Sequence, residues 1–351
     1  MHLSLKAEFM KDMLHRGFIF SVLMGVFFLT CSQTTQEFEE TVMIPTEEAP
    51  LSATYYKDEM RAFVIEISRY AKEKNPEFSI IPQNGIELVT LDGAEEGVLA
   101  VDYLNAIDGH GQESLWYGDP RDNSETGNSR TRYLLSYLEK SQAEGNAILV
   151  TDYCRTTNKI TTSINNAKEK GFTHFVATER ELNVIPTEAY DIPNENANDI
   201  VKLTDAKNHL FFLNYSAYPS KTALLGALQA TNYDVLIIDV FFATEQQFTV
   251  EDITALKTKA NGGKRKVIAY MSIGEAEDYR FYWDNNWDFE PPVWLSEENP
   301  DWPGNFKVKY WEQDWQNTII YNQNSYLNLI LSSQFDGVYL DIIDAFEFFE
   351  D

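Results

Sequence analysis

The chain is poor in the residues on which several common kinds of site depend. It has 2 cysteines among 351 residues, and Cys31 falls in a stretch with the pattern of a targeting signal. Because only Cys154 would remain unmodified after processing, we expect no intramolecular disulfide. Its 5 histidines include no H-x-x-x-H pair, so that zinc motif is missing. No phosphate-binding glycine loop and no G-x-S-x-G motif occurs, which weakens nucleotide-binding and serine-hydrolase interpretations.

Basic residues are scarce as well. The chain has 28 Lys and Arg against 55 Asp and Glu, which gives a formal net charge of -27 at pH 7. This charge argues against nucleic acid as a partner, because phosphates would be repelled. It permits a cationic ligand, although most of these charges are typical of a solvated acidic surface that aids solubility.

The first 31 residues have the features of an export signal. Basic residues up to Arg16 precede an apolar run at 17–29, which is too short to span a bilayer comfortably. Cys31 follows directly and resembles the lipid-bearing cysteine of a bacterial lipoprotein; a plain signal peptide or an anchor helix are the alternatives. The composition of residues 32–55 predicts a disordered tether. We therefore expect an extracytoplasmic protein, either anchored to the membrane as a lipoprotein or secreted.

Residues 56–351 alternate strand-like and helix-like patterns, which predicts one domain with a parallel α/β sheet. A (β/α)8 barrel, which needs roughly 250 residues, fits this length. A doubly wound open sheet is the alternative. Residues 183–208 are polar and acidic and predict a long surface connection. Nine strand candidates compete for eight places in a barrel: 78–82, 104–109, 147–151, 172–177, 210–214, 235–239, 266–271, 306–310 and 338–341. Helix candidates are 60–74, 133–138, 160–167, 253–260 and 319–331.

Carboxylates stand at or just past the ends of several of these strands. In a barrel these ends converge on one face, so the carboxylates would share one cleft. Such crowding raises the pKa of some groups and leaves others ionised, as general acids and bases require. Paired carboxylates are used in glycoside hydrolysis. Oxygen-only binding of a hard cation is the competing interpretation, and any one carboxylate alone could be a helix cap or an ion-pair partner. The candidates are Glu87, Glu113, Asp152, Asp239, Glu275, Glu277, Asp341 and Asp344.

Six of the seven tryptophans fall between positions 283 and 315, in a Pro- and Asn-rich stretch without helical spacing. Aromatic faces near a carboxylate cleft suit stacking on sugar rings and can hold cations. We expect about half of them to pack the loop onto the domain instead. Trp294 from this group, together with Trp116, is a candidate substrate contact.

Three segments resemble glycoside hydrolase family 114, whose characterised members are endo-acting α-1,4-polygalactosaminidases with a TIM barrel. They are Y-D-V-L-I-I-D-V at 233–240, K-V-I-A-Y-M-S-I-G-E-A-E at 266–277 and F-D-G-V-Y-L-D-I-I-D at 335–344. The resemblance covers residues 209–346 directly. It implies a catalytic pair formed by an Asp on about the fifth strand and a Glu on the next. These roles carry over to Asp341 and Glu87, with Glu113 as a rival to Glu87.

The resemblance also implies an unusual chain order. Residues 60–88 look like the continuation of the family's fifth strand, although they precede it here by most of the chain. The chain is therefore expected to be circularly permuted, with 183–208 joining the old termini and helix 60–74 lying beside strand 338–341. Some members have Glu at the position of Tyr339 and Asn at that of Ile342, so we expect the substrate preference to differ from that for polygalactosamine.

Together these patterns predict a membrane-tethered, monomeric glycoside hydrolase without cofactor or metal, acting on a polysaccharide that bears amino sugars. Asp341 would be nucleophile or base, and Glu87 the acid. A lipoprotein that binds glycan without cleaving it and a metal-dependent hydrolase are the alternatives. The expected substrate contacts are Asn84, Trp116, Asp152, Asp239, Tyr270, Glu275, Glu277, Trp294 and Asp344.

Overall fold

A computed structural model of the chain describes residues 52, 54–186, 192–243 and 246–350, all within one compact unit. Cys31, the export signal and most of the predicted tether lie outside the described residues. Among the helices that are described, none combines the length and apolar character needed to cross a membrane.

Parallel strands form the centre of this unit. A five-stranded sheet runs in the order β1-β11-β7-β6-β5, and a three-stranded sheet in the order β2-β3-β4. All neighbours in both sheets are parallel. A small antiparallel sheet has the order β8-β10-β9. The strands are β1 Ser79–Pro82, β2 Gly109–Glu113, β3 Ala147–Tyr153, β4 Thr173–Ala177, β5 His209–Phe212, β6 Val235–Ile238, β7 Lys266–Ser272, β8 Glu275–Glu277, β9 Leu295–Glu298, β10 Asn305–Val308 and β11 Gly337–Asp341.

Isolated parallel bridges link the two parallel sheets at both of their margins. Gln83, just past β1, pairs with Gly111 of β2. His174 of β4 pairs with Asn208, just before β5. The predicted mixed α/β class with parallel sheets is confirmed.

Helices follow most of the parallel strands and cover the sheets. In α1 the buried side chains recur at helical spacing from Met60 to Ala71, as the sequence predicted. Helix α1 also contacts the segments just before and just after β11. The hydroxyl of Tyr70 donates a 3.1 Å hydrogen bond to Oδ1 of Asn328, which precedes β11, and Lys57 forms an ion pair with Glu350, which follows it. The helices are α1 Tyr55–Lys74, α2 Val101–Ala106, α3 Asn128–Ala143, α4 Thr157–Lys170, α5 Lys221–Gln229, α6 Val250–Leu256, α7 Gln313–Gln316 and α8 Tyr326–Ser332.

Three predicted elements were wrong or incomplete. The strand expected at 104–109 is mostly helix α2, and the true strand, β2, begins at Gly109 with a sequence that lacks an apolar run. The candidate at 306–310 overlaps β10 of the antiparallel sheet and is the one outside the parallel sheets. The helix expected at 319–331 is interrupted, because α8 starts afresh where the hydroxyl of Ser325 accepts a hydrogen bond from the N–H of Asn328.

The connection at 183–208 is less superficial than expected. Its described part carries one short 3₁₀ helix, Leu203–Asp205, whose Leu203 is buried and fills the space beside Gly109. Asn208 is fully buried, and Lys259 donates hydrogen bonds to the carbonyls of Asn196 and Asn198. The connection is therefore fastened to the amino ends of the strands rather than lying free on the surface.

Candidate active site

A cavity of about 790 Å³ opens at the carboxyl ends of the parallel strands. We call it the main cleft. Because the strands are parallel, their last residues and the loops that follow them meet at this edge. The main cleft brings together eight of the residues predicted from the sequence: Asn84, Glu113, Asp239, Tyr270, Glu275, Glu277, Asp341 and Asp344.

Three of the strands that lead into the main cleft are followed by a residue in the left-handed backbone region. Asn84 has φ 59°, Ser114 has φ 53° and Ile342 has φ 58°. Asn tolerates this conformation, but for the β-branched Ile342 it is an outlier that costs about 1–3 kcal/mol. Since Glu113 and Asp341 directly precede two of these residues, the turns fix the direction in which each carboxylate leaves its strand.

Asp341 is held by two hydrogen bonds at the end of β11. The hydroxyl of Tyr270 donates to Oδ2 at 2.6 Å, and the backbone N–H of Ile342 donates to Oδ1 at 2.9 Å. Burial and then the charge of Glu113 raise the pKa of Asp341 to about 7, although both hydrogen bonds oppose this rise. Asp341 therefore gains and loses a proton near neutral pH.

Glu113 occupies the end of β2, and both of its carboxylate oxygens accept hydrogen bonds. The donors are the hydroxyl of Tyr153 and the side-chain amide of Gln83. The guanidinium of Arg180 lies 4.0 Å above the ring of Tyr153. Asn84 accepts a 3.2 Å hydrogen bond from the backbone N–H of Glu113 and so braces the same strand end. These contacts hold Glu113 in one orientation toward the main cleft.

Asp344 is a third carboxyl group coupled to this pair. Burial, followed by the charges of Asp341, Glu347 and Glu113, raises the pKa of Asp344 to about 8. Asp344 is therefore mostly protonated at neutral pH, and this limits the negative charge that collects around Asp341.

The small antiparallel sheet supplies an acidic wall of the main cleft through β8. The buried Arg280, which the sequence analysis missed, binds both carboxylate oxygens of Asp239 at 3.0 and 2.8 Å and donates from Nε to Glu277 at 2.5 Å. Its position three residues after Glu277 was the available signal. Glu275 accepts hydrogen bonds from the side chains of Asn299 and Asn305, and burial raises its pKa. Arg280 thus offsets part of the charge of this wall.

Of the tryptophans, Trp302 reaches the main cleft and Trp294 does not. Trp302 is 54% exposed and lines the cleft. Trp294 is 4% exposed and packs 4.9 Å from the ring of Trp315, so its predicted substrate contact is wrong. Trp116 is half-buried, packs against Phe172 and does not line the main cleft, so a substrate contact there stays a prediction. The other aromatic side chains of the lining were not predicted as substrate contacts, apart from Tyr270; they are Tyr153, Phe211, Tyr215, Tyr218, Phe241, Phe242 and Tyr279.

The prediction that Asp152 contacts substrate is also wrong. Asp152 is fully buried, and Oδ1 accepts hydrogen bonds from the backbone N–H groups of Trp116 and Tyr117. Oδ2 accepts one from the hydroxyl of Ser163. Asp152 therefore fastens the loop after β2 to α4 and has no face toward the main cleft.

Glu87 lies in a second cavity of about 490 Å³ that adjoins the main cleft and shares Asn84, Glu113, Arg180 and Asp344 with it. The hydroxyl of Tyr133 donates a 2.5 Å hydrogen bond to Glu87. The charges that act on Asp341 include that of Glu113, whereas Glu87 does not line the main cleft. The structure thus brings Glu113 together with Asp341.

The metal site that the sequence left open as an alternative would need a group of ligating side chains, and none is found among the described residues. Among residues 52, 54–186, 192–243 and 246–350, no three His, Cys, Asp or Glu side chains are arranged to hold a metal ion.

Carboxylates coupled in a cleft at the ends of parallel strands define a candidate hydrolase of the α/β class. Residues 214–351 match the family model "Glycoside-hydrolase family GH114". The resemblance found in the C-terminal part of the sequence is therefore confirmed, and it suggests a glycosidase. The matched residues include Asp341, while Glu113 and Asn84 lie outside the match.

Three relatives are similar over parts of the chain. An uncharacterized protein of Methanocaldococcus jannaschii is 43% identical over 155 residues, which cover 44% of this chain and 42% of the relative. One of Thermotoga maritima is 49% identical over 81 residues, 23% of this chain and 24% of the relative. One of Deinococcus radiodurans is 37% identical over 123 residues, 35% of this chain and 37% of the relative. The chain spans less than half the length of each relative it matches.

Proposed function

We propose that the protein is a glycoside hydrolase that cleaves a polysaccharide in the main cleft. The observation that carries this proposal is the electrostatic coupling of Asp341 and Glu113 within one cleft. Two carboxyl groups of this kind suffice for the reaction: one protonates the leaving glycosidic oxygen, and the other acts as nucleophile or activates water.

The roles we propose differ from those expected from the sequence. Asp341 is the proton donor, because its pKa of about 7 leaves the proton on a large fraction of molecules at neutral pH. Glu113, braced by Tyr153 and Gln83, is the nucleophile or base. Tyr270 adjusts the proton affinity of Asp341 through its hydrogen bond.

The proposed substrate is a polymer that bears amino sugars. Carboxylates that line the main cleft, among them Glu275 and Glu277, suit protonated amino groups, and Arg280 leaves this charge only partly offset. The exposed ring of Trp302 offers a face for stacking on a sugar ring.

The experiment is a screen of cationic and neutral polysaccharides for release of new reducing ends. Wild-type protein should release them from at least one polymer, and Asp341→Asn and Glu113→Gln should each lower the rate by about 10²–10⁴-fold. Glu290→Gln, an exposed carboxylate outside the cleft, is the matched control and should keep the wild-type rate. Release that survives both cleft substitutions contradicts the proposal, and binding without any release favours the glycan-binding alternative.

We also propose that the two parallel sheets close into a (β/α)8 barrel that is circularly permuted relative to the family. Support comes from the Gln83–Gly111 and His174–Asn208 bridges and from the parallel pairing of the last strand, β11, with the first, β1. The strand series thus continues from the family-matched part of the chain into residues 79–113. A crystal structure with an unpaired edge strand in the parallel sheets contradicts closure.

Attachment to a membrane through a lipid on Cys31 is a further part of the proposal. It is supported by the basic start, the apolar run and the position of the cysteine. In cells, Cys31→Ser should move the protein from the membrane fraction to the soluble extracytoplasmic fraction. An unchanged distribution contradicts lipid attachment.

A further inference from the structure

A separate cavity of about 420 Å³ lies at the opposite end of the parallel strands. We call it the lower cavity. Its lining includes Ser79 and Lys266, the first residues of β1 and β7, together with residues 201–204, of which Leu203 is buried. The main cleft lies at the carboxyl ends of the same strands, so the two cavities do not share a lining residue.

Lys266 is the unusual residue of the lower cavity. It is 8% exposed, and its ammonium group makes no hydrogen bond or ion pair with any residue in the described part of the chain. The other buried cations described there all have acceptors: Arg61 on Asp58, Lys259 on Asp234, Arg265 on Thr231, and Arg280 on Asp239 and Glu277. Although most of the side chain is buried, Nζ of Lys266 keeps contact with solvent, so an anion that enters the lower cavity can bind it directly.

The rest of the lining fits a small ligand. Ser79 is buried, and its hydroxyl makes no hydrogen bond with another described residue, so it can serve as a second donor. Leu104, Ile107 and Leu203 form apolar, buried walls. The volume lies within the range of about 300–1,000 Å³ that is usual for small-molecule sites.

Acidic groups at the lower cavity restrict which ligand can enter. Asp108 is already bound by Lys72 at 2.9 Å and by the N–H of Ile80. Glu77 and Glu144 are exposed on the rim. An extended polyanion would meet their charges, whereas a small anion can pass them and reach the ammonium group of Lys266.

We propose that the lower cavity binds a small oxyanion, a carboxylate or a phosphate, with Lys266 as its counter-charge and Ser79 as a hydrogen-bond donor. This site is independent of the proposed hydrolysis, because no residue of the main cleft takes part.

The test uses inorganic phosphate and acetate as probes, each compared with chloride at equal ionic strength. The midpoint temperature of thermal unfolding of the wild-type protein should rise by about 2–4 °C when one probe is present at roughly tenfold its Kd. Titration calorimetry should give one binding site for that probe per chain. Lys266→Met should bind that probe at least tenfold more weakly. In chloride alone its stability should be close to that of wild type, because Met keeps most of the buried aliphatic stem of the side chain.

Lys264→Met is the matched control, since Lys264 has the same charge but is exposed and does not line the lower cavity. It should keep the wild-type response, and so should Asp341→Asn. A response to phosphate alone identifies a phosphate-type ligand, and a response to acetate alone a carboxylate. The proposal is overturned if neither probe stabilises wild type, which would leave water as the acceptor for Lys266, or if Lys266→Met responds as wild type does.

Discussion

The hydroxyl of Tyr270 lies 2.6 Å from Oδ2 of Asp341 and donates a hydrogen bond to it. The parallel register of β7 and β11 produces this contact, because it sets Tyr270 beside Tyr339, two residues before Asp341. The hydrogen bond stabilises the ionised carboxylate and so lowers a pKa that burial raises. The two neighbouring strands thereby set the pH at which Asp341 carries its proton.

Tyr270→Phe removes that hydrogen bond with little change in shape. The pKa of Asp341 should rise, so the alkaline limb of the pH–rate profile should move upward by about 0.5–1 pH unit. The profile of kcat/KM against pH measures this shift. An alkaline limb that stays in place, or moves downward, contradicts the assignment of that limb to Asp341.

Asp341→Asn should stabilise the fold at alkaline pH while lowering activity by about 10²–10⁴-fold. Burial raises the folded-state pKa of Asp341 from 3.8 to about 7 and that of Asp344 to about 8. The folded state therefore binds more protons than the unfolded state over this range, and wild-type stability falls as pH rises through it. At pH 8 the variant should exceed wild type by about 1–3 kcal/mol in urea unfolding. At pH 4 the difference should nearly vanish, and a constant difference contradicts the sign of the shift.

Trp302→Ala and Trp294→Ala should have opposite consequences. Trp302 is exposed in the main cleft, so its loss should raise KM for the polymer about tenfold and leave the free energy of unfolding nearly unchanged. Trp294 is buried against Trp315, so its loss should cost about 3–5 kcal/mol of stability. Steady-state kinetics and denaturant unfolding of both variants test this, and equal stability losses would remove the distinction.

Gly111→Ala should disturb the packing between β2 and β11. A Cβ atom at Gly111 would lie 2.2 Å from the hydroxyl of the buried Tyr339, which must then shift. We expect a loss of about 1–3 kcal/mol in the free energy of unfolding. Gly226→Ala in α5, where a Cβ meets nothing within 4 Å, is the control and should stabilise by about 0.5–1 kcal/mol. A neutral Gly111→Ala variant contradicts the close approach of Tyr339.

The sequence predicted the elements whose burial is periodic or continuous. Helix α1 has an apolar stripe, and β6, β7 and β11 are apolar runs typical of strands buried on both faces. The predicted position of strand β2 was wrong because its glycines are required by side chains that are remote in sequence. Gly109 leaves room for Leu203, and Gly111 leaves room for Tyr339. Such contacts leave no local pattern.

Site residues that stand at the ends of strands could be predicted from the sequence. Residues whose exposure depends on contacts with remote parts of the chain could not. The position of Asp341 at the end of an apolar strand was a sufficient signal for its place in the main cleft. The spacing of Arg280 from Glu277 was a local signal for their ion pair, but its pairing with Asp239, which is remote in sequence, leaves no local pattern. Asp152 and Trp294 have the composition of site residues, but tertiary packing buries both.

The central claim is that Glu113, rather than Glu87, works with Asp341. The most direct measurement is the rate of reducing-end release by Glu113→Gln and Glu87→Gln on the polysaccharide that wild-type protein cleaves. The account predicts a loss of about 10²–10⁴-fold in kcat for Glu113→Gln, similar to that of Asp341→Asn, and less than tenfold for Glu87→Gln. A loss confined to Glu87→Gln, with Glu113→Gln close to wild type, would contradict it.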